Sequence, residues 1–373
     1  MKSVLMAALA GMALSTTVPA TAADTPSGSQ LAKKYGIPHP AVIAHRGDSW
    51  HAPEETRAAF LLARDEGADY LEMDLQRTRD GKIIALHDTN LKRTTNIEQV
   101  YPKRADDPVN TFTLAELKRL DAGSWFNKAH PDEARASFKG LKIMTLDEVI
   151  DIAEGGKNHP GLYIETKQPD LFPGIEHDLH QILARRGLLT PAPPGHGKVD
   201  VASTKGRVIL ETFSRDSLVK LDKEMPDTPK ILLLWISGKG SIPAAKMAPR
   251  QQGESDASYY GRMQVRSRQD YDNWLDFARE HGAIGVGPAT RLADGGVWSY
   301  MDMVKPWMNQ AAHQRGLLIH PYTVDKAVDF RHFEQEGASD GFFTNNPRSL
   351  LEYYHRSPAE SVNTILARYG YSH

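Results

Sequence analysis

The chain has 373 residues, a formal net charge of −2 and no cysteine. Its Lys and Arg residues are scattered, so nothing points to nucleic acid or to a strongly charged partner. The lack of cysteine excludes disulfides, thiolate nucleophiles and thiolate metal sites, and leaves histidine and carboxylate donors for any metal.

Residues 1–22 read as a secretory signal peptide. Lys2 supplies the charge, Val4 to Leu14 the apolar stretch, and Ala20-Thr21-Ala22 the cleavage site. The apolar run is too short to span a bilayer, and without cysteine there is no lipoprotein anchor. The mature protein is therefore expected to be soluble and exported, either periplasmic or secreted. Residues 23–40 form a polar leader with Gly, Ser and Pro, expected to be partly ordered at best.

Ala41–Ala44 is a short apolar strand that delivers His45 and Arg46 to its C-terminal end. Pro53-Glu54-Glu55 opens a helix with acids in its first turn, and Gly67 ends it. In the strand Tyr70–Leu75, Leu71, Met73 and Leu75 share one face, Glu72 and Asp74 the other. Buried together, those acids need a cation or a proton; on a surface strand they need neither. Asp80-Gly81 signals a two-residue hairpin returning through Lys82–His87. With Arg79 paired to Lys82, Asp74 stands opposite His87, roughly 5 Å away at Cβ. A parallel barrel pairing would bring the two together by another route.

Residues 88–140 are charged, lack strand pattern and read as an insertion over the mouth of the site. Capping boxes at Thr113–Glu116 and Thr145–Glu148 open two helices. Gly161–Lys167 is a strand with Glu165 and Lys167 on one face. Val208–Phe213 and Ile231–Ile236 are continuous apolar strands of the parallel type. Residues 237–270 form a long loop or insertion. Strands over 283–288, 317–324 and 341–344 alternate with helices, and residues 356–373 are a C-terminal tail. Alternating strands and helices over 41–355 predict a TIM-type (β/α)8 barrel with an insertion after the His87 strand. Nine strand-like runs are present, the hairpin return being the extra one.

His45-Arg-Gly, Pro53-Glu-Glu-Thr, the run from Tyr70 to Asp88, Leu91–Asn96 and Leu162–Lys167 together resemble the signature of the glycerophosphodiester phosphodiesterase family. The resemblance implies metal-dependent hydrolysis of glycerophosphodiesters to glycerol 3-phosphate and an alcohol. It also implies an insertion that helps form the alcohol pocket, and a divalent cation, Ca²⁺ or Mg²⁺, on Glu72, Asp74 and Glu165. That oxygen-only set independently suits a hard cation. His45 and His87 are then the catalytic pair, because imidazole titrates in the working range; His45 is assigned as base and His87 as acid, a direction the sequence leaves open. Arg46 and Lys167 would hold the phosphate, with structural ion pairs as the competing account. Glu54 would bind the metal or support the site. Phe213, Tyr322 and Trp125 would line the alcohol pocket or serve as plain core.

Glu55, Glu211, Tyr322, Asp325 and Asn345 depart from the family pattern and leave the alcohol open. A phospholipase D or sphingomyelinase type of enzyme on the same barrel and a non-catalytic exported binding protein are the alternatives. The first would want a membrane-facing rim and the second a missing catalytic side chain. The expected partner is a small glycerophosphodiester, with no nucleic acid and no stable membrane insertion.

Overall fold

A computed structural model of the chain describes residues 26–236, 240–293 and 300–373. The signal peptide and part of the 237–270 segment lie outside the described residues. The strands are β1 (Ala41–Ala44), β2 (Tyr70–Arg77), β3 (Ile83–Ala85), β4 (Met144–Thr145), β5 (Gly161–Thr166), β6 (Val208–Thr212), β7 (Lys230–Leu234), β8 (Ala283–Pro288), β9 (Leu318–Ile319) and β10 (Gly341–Thr344). Eight of them run in the order β10-β1-β2-β5-β6-β7-β8-β9, each parallel to its neighbour. Ile319 and Pro321 carbonyls accept from the Asp340 and Phe343 amides at 2.9 and 3.0 Å, and Val324 donates to Phe343 at 2.9 Å. These bonds close the circle, and the expected parallel barrel is present. Its strands bury both faces, which is why they read as almost unbroken apolar runs.

The hairpin differs from its predicted register by one residue. Leu75 pairs with Ala85, Gln76 with Ile84 and Arg77 with Ile83, so the loop holds Arg79, Asp80 and Gly81. Thr78 Oγ1 accepts the Lys82 amide at 2.9 Å and donates to Asp80 at 2.7 Å, and Gly81 adopts φ 75°. That side-chain clasp favours the three-residue turn. Leu86, not His87, is therefore opposite Asp74, and its amide donates to the Asp74 carbonyl at 2.9 Å. β3 pairs onward with the short β4, a strand the sequence pattern conceals under a helix cap.

Three other segments depart from expectation. The helix after β1 begins at Arg57, behind the N-cap Thr56, so Glu54 and Glu55 precede it. Within the leader, Gly28–Tyr35 is a helix with a Ser27/Gln30 capping box, and it buries Leu31 and Ala32 against the barrel. In the tail, Val362–Arg368 is helical and packs Ile365 and Leu366 against Ala58, Leu62, Phe126 and Phe138. The segment 88–140 is built from short helical turns around the buried Ile97, Phe112, Leu117 and Phe126.

Asp340 secures the closing seam. Its Oδ2 accepts the Ile319 amide at 2.8 Å and lies 2.9 Å from His313 Nε2, while its Oδ1 is 3.1 Å from His39 Nε2. Burial pushes this carboxyl up, but the hydrogen bonds from His313 and His39 outweigh it and hold the pKa at about 2. A depressed carboxylate stabilises the fold above its unfolded pKa, and that contribution is lost as pH falls through the folded value. Asp340→Asn is expected to cost on the order of 2 kcal/mol at neutral pH. In urea titrations the difference from wild type should shrink as pH drops from about 4 toward 2; equal stability at pH 7 would contradict the assignment.

Candidate active site

The inward positions at the C-terminal ends of the strands converge on one cavity of about 860 Å³. His45, Arg46, Glu72, His87, Glu165, Lys167, Phe213 and Tyr322 all line it, as does Glu211. Asp74 and Glu54 stand behind its wall, and Trp125 lies elsewhere, with the Arg93 guanidinium 5.8 Å from its ring.

Sheet register explains the carboxylates. Asp74 pairs with Glu165 and Glu165 with Glu211, one row across β2, β5 and β6. Glu72 precedes Asp74 by two residues and so shares its face. Donor oxygens of Glu72, Glu165 and Glu211 lie within 4.8 Å of one another, and all three residues are buried. Asp74 is instead held between cations, 3.1 Å from Arg46 Nε and 3.3 Å from Lys167 Nζ. The predicted trio of Glu72, Asp74 and Glu165 thus differs at one corner from the cluster the fold assembles.

The electrostatics follow from crowding. Burial first, and then Asp74, push the Glu72 carboxyl well up. Burial lifts Glu165 to about 8 against the pull of Lys167. Burial and the neighbouring Glu72 and Glu165 raise Glu211. Burial would raise Asp74 too, but Lys167, His87 and Arg46 hold it well below the usual range. Glu211 Oε2 is buried with no hydrogen-bond partner. Asp74 Oδ2 likewise has no hydrogen-bond partner. Oxygen-only donors, like charge, burial and these two orphaned oxygens fit a hard divalent cation among the four carboxylates. Among the described residues the other such group is His177, His180 and Glu224, outside this cavity. There both imidazoles reach one Glu224 oxygen at 3.1 Å, and hydrogen bonding accounts for it.

Arg46 and Gly47 turn the chain through positive φ (58° and 82°), and a Cβ on Gly47 would meet the Ala59 backbone at 2.7 Å. This turn sends the Arg46 amide to Glu72 Oε2 at 2.7 Å and its Nη1 to Glu54 at 3.0 Å. Glu54 also binds Arg93 at 2.7 and 2.8 Å. Its ion-pair partners are thus Arg46 and Arg93. Glu55 Oε1 accepts the Asp74 amide at 2.8 Å. Lys167 Nζ is 3.2 Å from Glu165 and 5.4 Å from the Phe213 ring centre.

The two histidines are held differently. His45 Nδ1 lies 2.7 Å from Asn345 Oδ1. Asn345 Nδ2 donates to Asp325 at 3.0 Å, and Ser49 Oγ donates to the same Oδ1 at 3.0 Å. An amide oxygen accepts only, so Nδ1 carries the hydrogen and Nε2 keeps its lone pair. Burial, then Arg46, lowers the His45 pKa to about 3, leaving the imidazole neutral. His87 Nδ1 donates to Asp88 Oδ1 at 2.7 Å, and Arg93 Nε donates to Asp88 Oδ2 at 2.7 Å. Burial, Arg46 and Lys167 lower His87, with Asp74 and Asp88 opposing them. Asn345, Asp325, Asp88 and Arg93 are orienting residues that sequence reading left without roles; two of them had marked themselves only as departures from a motif.

Comparison with known proteins gives a consistent result. The model of the Glycerophosphoryl diester phosphodiesterase family matches residues 45–349. A glycerophosphodiester phosphodiesterase of Bacillus subtilis (strain 168) is 35% identical over 305 residues, 82% of this chain and 83% of that protein. Two solved structures share the fold. A glycerophosphodiester phosphodiesterase from Agrobacterium tumefaciens has a TM-score of 0.51 at 22% identity, covering 82% of this chain and 96% of its own. An Oleispira antarctica phosphodiesterase in complex with the product sn-glycerol-3-phosphate has a TM-score of 0.55 at 19% identity, covering 85% and 97%.

The Asn345 contact carries a direct expectation. In ¹⁵N-resolved spectra at neutral pH, His45 should be the Nδ1–H tautomer, and Asn345→Leu should abolish that preference. An Nε2–H His45 in the unmodified protein would contradict the assignment.

Proposed function

The chain belongs to the glycerophosphoryl diester phosphodiesterase family, and on that premise we propose that it hydrolyses glycerophosphodiesters by cation-assisted acid-base catalysis. The products are glycerol 3-phosphate and a free alcohol. The observation that carries this reading is the convergence of two oriented histidines, two cationic side chains and a buried carboxylate cluster on one cavity.

Glu72, Glu165 and Asp74 would hold Ca²⁺ or Mg²⁺, which when bound polarises a phosphoryl oxygen. Arg46 and Lys167 add fixed positive charge on the same side of the cavity, suited to the diester anion. The nucleophile, water or the substrate's own glycerol hydroxyl, gives its proton to His45 Nε2 as its oxygen bonds to phosphorus. The bond from phosphorus to the alcohol oxygen breaks, and His87 delivers a proton to that oxygen. Asp88 steadies the imidazolium form of His87 that this step requires. Where the glycerol hydroxyl attacks, water then opens the cyclic ester.

Phe213 and Tyr322 meet edge to face at 5.7 Å, and Trp235 and Tyr300 at 5.0 Å, on the wall assigned to the alcohol. We also propose that residues 1–22 direct export, which N-terminal sequencing of the mature protein would test. No helix among the described residues is long and apolar enough to cross a membrane.

His45→Ala and His87→Ala should each lower kcat by at least ~100-fold, measured on glycerophosphocholine, glycerophosphoethanolamine and glycerophosphoinositol. A near-unchanged rate removes that histidine from the mechanism. Exhaustive chelation should abolish turnover and Ca²⁺ or Mg²⁺ restore it; full activity after chelation refutes the role of the cation. Cleavage of intact lysolipids but none of the water-soluble diesters would favour the lipid-cleaving alternative.

A further inference from the structure

We infer that Glu211 is a direct ligand of the cation, so that a carboxylate from β6 completes a centre otherwise drawn from β2 and β5. The inference rests on the cation reading above and extends it to a residue that the sequence pattern presents only as a departure.

Position comes first. Glu211 lies beside Glu165 in the parallel register of β5 and β6, one strand further round the barrel than any ligand expected from the sequence. Its oxygen belongs to the set with Glu72 and Glu165 in which every donor is within 4.8 Å of the others. Asp74, the expected third ligand, has both oxygens within 3.3 Å of a cationic nitrogen, on Arg46 and Lys167. The cavity wall includes Glu72, Glu165 and Glu211.

The second observation is independent of that clustering. Glu211 is 1% exposed and its Oε2 has no hydrogen-bond partner. A buried carboxylate oxygen left without a donor is costly, on the order of 1–3 kcal/mol or more. Glu66 and Glu176 also leave one buried oxygen without a hydrogen-bond partner, but outside this cavity; Glu211 adds to its orphaned oxygen a place among two other cavity-lining carboxylates. A hard cation shared with Glu72 and Glu165 supplies the missing partner. Ca²⁺ takes 6–8 oxygens and Mg²⁺ an octahedral set, so a further carboxylate is readily accommodated beside substrate and water.

Glu211→Gln keeps the shape and removes the charge. Calorimetric titration of the purified full chain with Ca²⁺ and with Mg²⁺, each alone, should show affinity at least tenfold weaker in the variant for whichever ion the unmodified protein binds. The cation-induced rise in melting temperature should shrink, while the ion-free protein melts no lower than wild type. Glu211→Asp, which keeps a carboxylate, should recover part of the affinity. Tb³⁺ luminescence lifetimes in H₂O and D₂O should count at least one more coordinated water in Glu211→Leu, which removes every oxygen donor, a change that charge acting from a distance would not produce. Unchanged affinity or an unchanged water count overturns the role of Glu211 while leaving the cation reading intact. Failure of the unmodified protein to bind either ion overturns both.

Discussion

The site is governed by the cost of placing like charges together away from water. Glu72, Asp74, Glu165 and Glu211 enter the barrel mouth from three adjacent strands and are each at most 5% exposed. Four carboxylates cannot all stay ionised there without positive charge close by. Arg46 and Lys167 flank Asp74, and Lys167 is shared with Glu165. The rest either carry protons, which is the direction in which their pKa values are pushed, or share a cation. The fold thus builds a place whose electrostatics are satisfied by the same ion that would polarise a phosphodiester.

The surrounding layer orients Arg46 and the two histidines. From the inserted segment, Arg93 spans Glu54 and Asp88. One side chain thereby braces Arg46 through Glu54 and His87 through Asp88. On the far side, Asp325 holds Asn345, and Asn345 holds His45. The histidines consequently differ in kind. One is backed by a neutral amide; the other is backed by a carboxylate that opposes the lowering by burial, Arg46 and Lys167. This asymmetry sets the two imidazoles apart.

Much of this was legible in the chain because it is local. Apolar runs ending in a charged residue marked the strands, and period-two alternation put Glu72 with Asp74. Capping boxes at Thr113 and Thr145 are formed as read. Information held by long-range pairing was not legible. Glu211 is unremarkable until β5 and β6 are in register. Asn345 sits 300 residues from the His45 it orients. Other differences came from local signals with two meanings. Acids before a helix look like dipole partners, yet Glu54 and Glu55 turn inward to Arg46 and to the Asp74 amide. Asp80-Gly81 suggests a two-residue turn, and the Thr78 hydroxyl shifts it by one residue. In the leader, Ser27 and Gln30 carried a helix-start signal that its polar composition masked.

The most direct test of the account is the anomalous scattering of crystals grown with Mn²⁺ as a stand-in for the hard cation. The account predicts one strong peak within bonding distance of the Glu72 and Glu165 carboxylates, in the cavity that His45 and His87 share. A peak bound by other residues, or none at these two, would contradict it.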